Sequence, residues 1–216
     1  MSVTAAEQLA SKGDSSEEIH AAALRFAGPL PGLDWLDLGC GRGHILREVA
    51  GRHAPGSLTG VDAIDWLDPD LREAVRLIVG PAEQAELPRS DRVLMIEVIE
   101  HLEAPWTVLR RAAGAVRPGG VIVVTTPSVA NLRSRLELLA RGRLTSFRPE
   151  NIPHLGPALP HVVERILGEA GMRTEVRHCG RDVVPKTAGR CWPRRVHELA
   201  PELTSVSVAV IGRAPG

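Results

Sequence analysis

Tyrosine is absent from this 216-residue chain, phenylalanine occurs twice, and aromatic residues make up only 3% of it. Lysine is almost missing as well: of 26 basic residues, only Lys12 and Lys186 are lysine. Arginine, alanine and glycine fill the space, a bias that reads as a GC-rich genome rather than a functional device. Three cysteines, at positions 40, 179 and 191, make neither a disulfide framework nor a metal-ligand spacing, which fits a reducing compartment. No apolar run reaches membrane-spanning length. Residues 1–20 are polar, with no signal-peptide core, and the acidic segment Asp14-Ser15-Ser16-Glu17-Glu18 argues further against targeting. The cytoplasm is the expected location. Net charge is zero, so the chain carries no overall electrostatic footprint for nucleic acid. Internal repeats and low-complexity segments are lacking too. What remains, 44% hydrophobic and 24% charged, suits a single globular domain with a sizeable core over residues 1–216.

The chemistry is concentrated in Trp35-Leu36-Asp37-Leu38-Gly39-Cys40-Gly41-Arg42-Gly43-His44, where an apolar run ends in an acid and three glycines alternate. After Gly43 the pattern turns helical, with Ile45, Leu46 and Val49 on one side. A strand, a tight turn and a helix N-terminus follow from this order, a geometry that brings backbone N–H groups close to a ligand. The next strand, 58–62, ends in Asp62, whose carboxylate suits a ribose diol. Further strands are predicted at 76–79, 92–96, 121–125, 173–177 and 204–211, and helices at 19–26, 42–51, 106–116 and 160–170. Strands and helices alternating in this way make an α/β doubly wound sheet, with strand 92–96 buried on both faces. Leu36, Leu38, Ile45, Val61, Ile78, Leu94, Ile96, Val108, Leu109, Ile122, Val124 and Ile166 are the expected core. Two stretches break the rhythm, 127–156 and 180–203, and are the expected walls of a substrate site. The first carries a helical face of Leu132, Leu136 and Leu139 among several arginines; the second reads as loop.

The glycine spacing G-x-G-x-G differs from the dinucleotide fingerprint G-x-G-x-x-G. Asp37 would repel a pyrophosphate yet attract an ammonium. S-adenosylmethionine has that ammonium, no phosphate, and a ribose for Asp62. With Asp37 to Gly43, Asp62, Glu97-Val98-Ile99-Glu100-His101-Leu102, Val116-Arg117-Pro118-Gly119-Gly120 and Thr125-Thr126-Pro127-Ser128 in this order, the chain resembles the class I S-adenosylmethionine-dependent methyltransferases. The resemblance covers roughly Leu33 to Gly171 and implies a Rossmann-like, seven-stranded, mostly parallel sheet with helices on both faces. It places the amino-acid end of the cofactor by Asp37, Gly39, Cys40 and Gly41, and the ribose by Asp62 and Ala63. Cys40 would be a small side chain there rather than a nucleophile. Adenine would lie against Gly80-Pro81-Ala82-Glu83. Similar enzymes place an Asp or Asn where Pro81 stands, so backbone groups at Ala82, or Glu83 itself, must serve here.

Methyl transfer is an in-line displacement in which positioning supplies much of the rate. Glu97, Glu100 and His101 lie just past the fourth strand, and on a helix such spacing shares one face. His101 and Glu97 are the candidate catalytic residues, with His101 as general base. The same segment resembles the metal-using quinone O-methyltransferases and the RNA 3′-terminal 2′-O-methyltransferases. That resemblance implies magnesium, manganese or zinc on Glu97, Glu100 and His101, with His154 as fourth ligand. The alternative is metal-free, with Glu97 beside the cofactor and Glu100 and His101 capping the turn. The arginines between 131 and 148 are read as a solvated helix face, with anionic-substrate binding as the competing idea. The function expected first is methylation of an oxygen or nitrogen of a small metabolite in a biosynthetic pathway. A metal-dependent RNA 3′-terminal methyltransferase and a non-catalytic cofactor-binding scaffold are the alternatives. No nucleic acid or membrane partner is expected.

Overall fold

A computed structural model of the protein describes residues 16–151, 154–185, 187 and 189–216. The beginning of the acidic segment and short pieces of both irregular stretches lie outside the described residues. The first helix, α1 (Glu17–Ala27), starts where the Ser16 hydroxyl accepts from the Ile19 N–H and stops at Gly28, whose φ is 64°. Then come β1 (Asp34–Leu38), α2 (His44–Arg52), β2 (Ser57–Asp62), β3 (Arg76–Val79) and β4 (Ser90–Ile96). A 3₁₀ turn, Ile99–His101, leads to α3 (Pro105–Ala115) and β5 (Val116–Pro127). The chain closes with α4 (Leu132–Arg141), α5 (Pro160–Glu169), β6 (Arg173–Arg181), α6 (Arg194–Leu199), α7 (Pro201–Thr204) and β7 (Ser205–Arg213).

The seven strands form one sheet in the order β3-β2-β1-β4-β5-β7-β6. All pairings are parallel except those of β7, which runs antiparallel to both β5 and β6. Period-two side-chain alternation divides the core between two faces. Trp35, Leu94, Val121 and Val123 pack with Leu24, Leu46 and Val49 of α1 and α2. Leu36, Leu38, Val93, Met95 and Ile122 pack with Leu109, Val163 and Leu167 of α3 and α5. The strand order reverses between β1 and β4, and ligands settle beyond the strand tips at such a point.

Eleven of the twelve expected core residues are buried; Ile78 is only half-buried. β3 is an edge strand with a single neighbour, so burial from both sides is denied it. The 180–203 stretch is less irregular than its composition suggests. Pro201 starts α7 at a position where its missing N–H costs nothing, and Pro193 immediately precedes α6. The expected apolar stripe on α4 does not pack: Leu136 is 46% and Leu139 85% exposed.

Leu94 is fully buried in β4, with Asp37 of β1 and Val123 of β5 as its strand neighbours. Leu94→Ala is expected to cost about 2–5 kcal/mol through lost burial and the cavity left behind. Chemical denaturation reads this directly; an unmoved midpoint would contradict the packing described for the central strand.

Candidate active site

A cavity of about 1030 Å³ opens beyond the tips of β1 and β4. Asp37, Gly39 and Cys40 line it from β1, Asp62 and Ala63 from β2, and Ala82 and Glu83 from the loop after β3. Glu97, Glu100 and His101 face it after β4, and His154 reaches it from the stretch following α4.

The glycine turn is built differently from the sequence expectation. The N–H groups of Gly39 and Cys40 donate to the Val61 carbonyl (2.7 and 3.2 Å), and that of Gly43 donates to the Cys40 carbonyl (2.8 Å). Gly41 N–H donates to Asp62 Oδ2 at 2.9 Å. These four donors are spent inside the protein, so the turn is a wall and not an anion cradle. This strengthens the reading of a phosphate-free cofactor. Gly39 is required on two counts: its φ is 75°, and an added Cβ would lie 1.9 Å from Val98 Cγ2. The Cys40 sulfur would lie 2.6 Å from a Cβ at Gly60, and burial pushes its thiol pKa far up. It stays protonated and fills space.

Asp62 accepts from Gly41 N–H with one oxygen and from Ile64 N–H, at 3.1 Å, with the other. Each carboxylate oxygen has a second lone pair, which leaves acceptor capacity for ribose hydroxyls. Burial raises the Asp62 pKa, and the backbone donors oppose it. Asp37, 4% exposed, is raised to about 8, first by burial and then by the charge of Asp62. Such a carboxyl needs a cation to ionise at neutral pH.

Beyond β4 the chain kinks at Glu97, whose φ of 54° is unusual outside glycine. Its N–H donates to Thr125 Oγ1 at 3.0 Å. Its carboxyl is raised to about 7 by burial, against the pull of the Thr125 and Ser207 hydroxyls, and Oε1 is buried with no hydrogen-bond partner. The following turn is 3₁₀ rather than α-helical, so Glu97 does not share a helical face with Glu100 and His101. Glu100 is 1% exposed; neither carboxyl oxygen has a hydrogen-bond partner, and burial plus the charge of Glu97 hold its pKa well above the ordinary carboxylate value. It caps nothing.

The stretch after α4 is anchored at this point, because the N–H groups of Leu155 and Gly156 donate to the Glu100 carbonyl (2.8 and 3.4 Å). That tie brings His154 against His101, ring centroids 4.8 Å apart and edge-on, with Phe147 on its other flank at 5.4 Å. His101 Nε2 lies 4.0 Å from Glu100 Oε1. Burial and the neighbouring His101 lower the His154 pKa, which keeps its imidazole neutral and able to act as a ligand. One ligand atom each from Glu100, His101 and His154 falls within 4.8 Å of the others; Glu97 is not in this group. A buried carboxyl without a hydrogen bond, beside two imidazoles, fits a divalent cation, which would balance the carboxylate's charge.

Other expected features sort out as follows. Among the described residues of the two irregular stretches, those lining the cavity come from 127–156: Pro127, Ser146, Glu150, Asn151 and His154. No described residue of 180–203 lines it, because that segment follows β6, the far edge strand. Most arginines around α4 are tied to acids: Arg141, Arg143 and Arg148 converge on Glu137, and Arg133 reaches Asp182 at 3.6 Å, while Arg135 donates to the Ala130 carbonyl. The sequence reading missed Ile19 and His20 of α1, together with His44, Ile64 and Trp66, all of which line the cavity. His20 and His44 stack with centroids 6.1 Å apart. Amphipathicity marked α1 as a packed helix; which end of the sheet it covers is a tertiary fact.

Residues 11–173 match the model of a family described as a methyltransferase domain. A mitochondrial ubiquinone biosynthesis O-methyltransferase of Schizosaccharomyces pombe is 33% identical over 143 residues, covering 61% of this chain and 48% of its own length. The ubiquinone biosynthesis O-methyltransferase of Maricaulis maris is 31% identical over 162 residues, covering 67% of this chain and 60% of its own. The chain thus spans about half to three-fifths of the length of these curated relatives. Among solved structures, an S-adenosylmethionine-dependent methyltransferase of Archaeoglobus fulgidus superposes with a TM-score of 0.63 at 19% identity, over 97% of this chain and 100% of that one. Among the described residues, no helix is long and apolar enough to cross a membrane.

Proposed function

Because the chain belongs to the class I S-adenosylmethionine-dependent methyltransferases, we propose that it methylates an oxygen or nitrogen of a small metabolite in a biosynthetic pathway. The observation that carries this reading is the constellation of Glu100, His101 and His154 past β4, a group that lines the same cavity as Asp37 and Asp62 and does not include them. The similarity to ubiquinone biosynthesis O-methyltransferases supports an oxygen acceptor. A zero net charge and arginines already paired with acids speak against an RNA 3′ end. Three free cysteines accord with a reducing compartment, here the cytoplasm.

The protein's part is largely placement. Asp37 would hold the ammonium of the cofactor and Asp62 its ribose diol, while the Glu100–His101 turn lines the same cavity and is available to the acceptor. In the absence of a cation, His101 is the group that would take the proton from the acceptor hydroxyl as its oxygen bonds to the methyl carbon and the carbon–sulfur bond breaks, leaving S-adenosylhomocysteine. The buried carboxyl of Glu97 also lines the pocket. Glu100, His101 and His154 are the residues that would hold magnesium, manganese or zinc. Such an ion lowers the pKa of a bound hydroxyl and fixes its direction.

Chelator is expected to abolish turnover, and manganese or magnesium to restore it. Alanine at His154 and glutamine at Glu100 should then be similarly damaging, because ligands acting as one unit lose function together. Full activity in chelator with His154→Ala unimpaired would remove the cation and leave His101 as a lone base. Label transfer from S-adenosylmethionine to no small-molecule acceptor, but to an RNA 3′ end, would overturn the substrate class.

A further inference from the structure

The loop after β3 raises a problem that a residue far along the chain resolves. Pro81 has neither an N–H nor a polar side chain, yet Pro81, Ala82 and Glu83 all line the cavity where adenine would lie. The loop is short and tightly wound: Gln84 and Ala85 N–H groups both donate to the Pro81 carbonyl (2.9 and 3.0 Å). Gly80 N–H joins it to β2 through the Asp62 carbonyl at 2.8 Å. From the opposite side comes Arg111 of α3. Its Nη1 donates to the Ala82 carbonyl at 2.6 Å, and its Nη2 donates to the Ala85 carbonyl.

Arg111 is not among the residues lining the cavity, so it draws the Ala82 carbonyl outward. No peptide bond in the described chain is cis. In a trans peptide the carbonyl and the N–H point in opposite directions. Pulling the Ala82 oxygen toward α3 therefore turns the Glu83 N–H toward the cavity. A two-pronged guanidinium does this with a rigidity that a single donor cannot match.

We propose that Arg111 is a positioning residue for the cofactor: by clamping the Ala82 and Ala85 carbonyls, it aims the Glu83 N–H at a ring nitrogen of adenine. This rests on the cofactor reading above. It explains how a loop with proline at its head recognises a base through its backbone alone. Arg111 touches no reacting atom; it acts through the peptide it holds.

The test is calorimetry of S-adenosylhomocysteine, and of its 1-deaza and 3-deaza adenine analogues, with wild type, Arg111→Gln, Arg111→Lys and Ala82→Trp. Wild type should bind one deaza analogue roughly tenfold more weakly than the parent, the worth of one hydrogen bond in a buried site. In Arg111→Gln the parent should weaken by about the same factor, and the discrimination between parent and analogue should shrink toward one. Arg111→Lys, which retains the charge and can reach one carbonyl, should fall between the two and keeps the test open if the glutamine variant does not fold. A folded Arg111 variant that discriminates as wild type does would overturn the proposal. Ala82→Trp separates the two levels, since its side chain would occupy the adenine space. If it binds S-adenosylhomocysteine normally, the cofactor placement itself is wrong; if it does not bind while Arg111→Gln binds and discriminates normally, only the role of Arg111 falls.

Discussion

His101→Ala is expected to lower the rate of methyl transfer roughly 10²–10⁴-fold at saturating cofactor, the range typical for loss of a positioned proton acceptor. Affinity for S-adenosylhomocysteine should barely change, because the polar groups assigned to the cofactor are Asp37 and Asp62, which lie on other strands and are not among the residues grouped with His101. The loss should appear in single-turnover rates measured with an acceptor that the wild type methylates. It should persist when acceptor is raised, since an interaction used in the transition state is not recovered by mass action. A decrease below tenfold would take His101 out of the chemistry and leave the reaction to positioning alone.

The second large effect concerns Asp37, whose pKa of about 8 in the unliganded protein reflects burial and the nearby charge of Asp62. With a folded-state value above the unfolded one, near 3.9, this group stabilises the fold fully below about pH 4. That contribution is lost as pH rises through about 8. Thermal stability of the unliganded protein should therefore fall over this window, and Asp37→Asn should flatten the fall. Ligand binding has the opposite sense. The cofactor's ammonium favours the ionised carboxyl, so binding at pH 7 should release close to one proton per site. Calorimetry in two buffers of different ionisation enthalpy measures that release. Asp37→Asn should abolish it and weaken S-adenosylhomocysteine by about 1.5–3 kcal/mol. Equal binding enthalpies in the two buffers for wild type would show that Asp37 does not meet the ammonium.

Which features could be read from the chain follows from their range. β4 declares itself because a strand covered on both faces carries a continuous apolar run, here Val93-Leu94-Met95-Ile96, and β1 and β2 are marked by short apolar stretches that end at an acid. Asp37, Gly39 and Asp62 sit at strand ends whose order is local, and the structure lines the cavity with them. Ile78 was misjudged because an edge position is set by strand order, which no single segment encodes. Three N–H groups of the glycine turn face inward because the Val61 carbonyl and the Asp62 carboxylate of β2 reach them first, and the fourth, that of Gly43, closes on the Cys40 carbonyl. Glu97 departs from a helical face through its positive φ, fixed by a hydrogen bond to Thr125 on the adjacent strand. His154 was legible only as a histidine in an insert; its place beside His101 depends on Leu155 and Gly156 N–H groups meeting the Glu100 carbonyl. Arg111 left no signal at all, since an arginine on an amphipathic helix reads as surface.

The cofactor site is the claim on which the rest depends, and Asp62 is its most exposed point. Titrating S-adenosylhomocysteine and NAD into wild type and Asp62→Ala by calorimetry tests it in one experiment. The expected result is one tight S-adenosylhomocysteine site in wild type, no NAD binding, and a loss of about 1.5–3 kcal/mol in Asp62→Ala, as the ribose contact and the anchor for Gly41 and Ile64 disappear together. Unchanged affinity in a folded Asp62→Ala protein, or tight NAD binding by wild type, would contradict it.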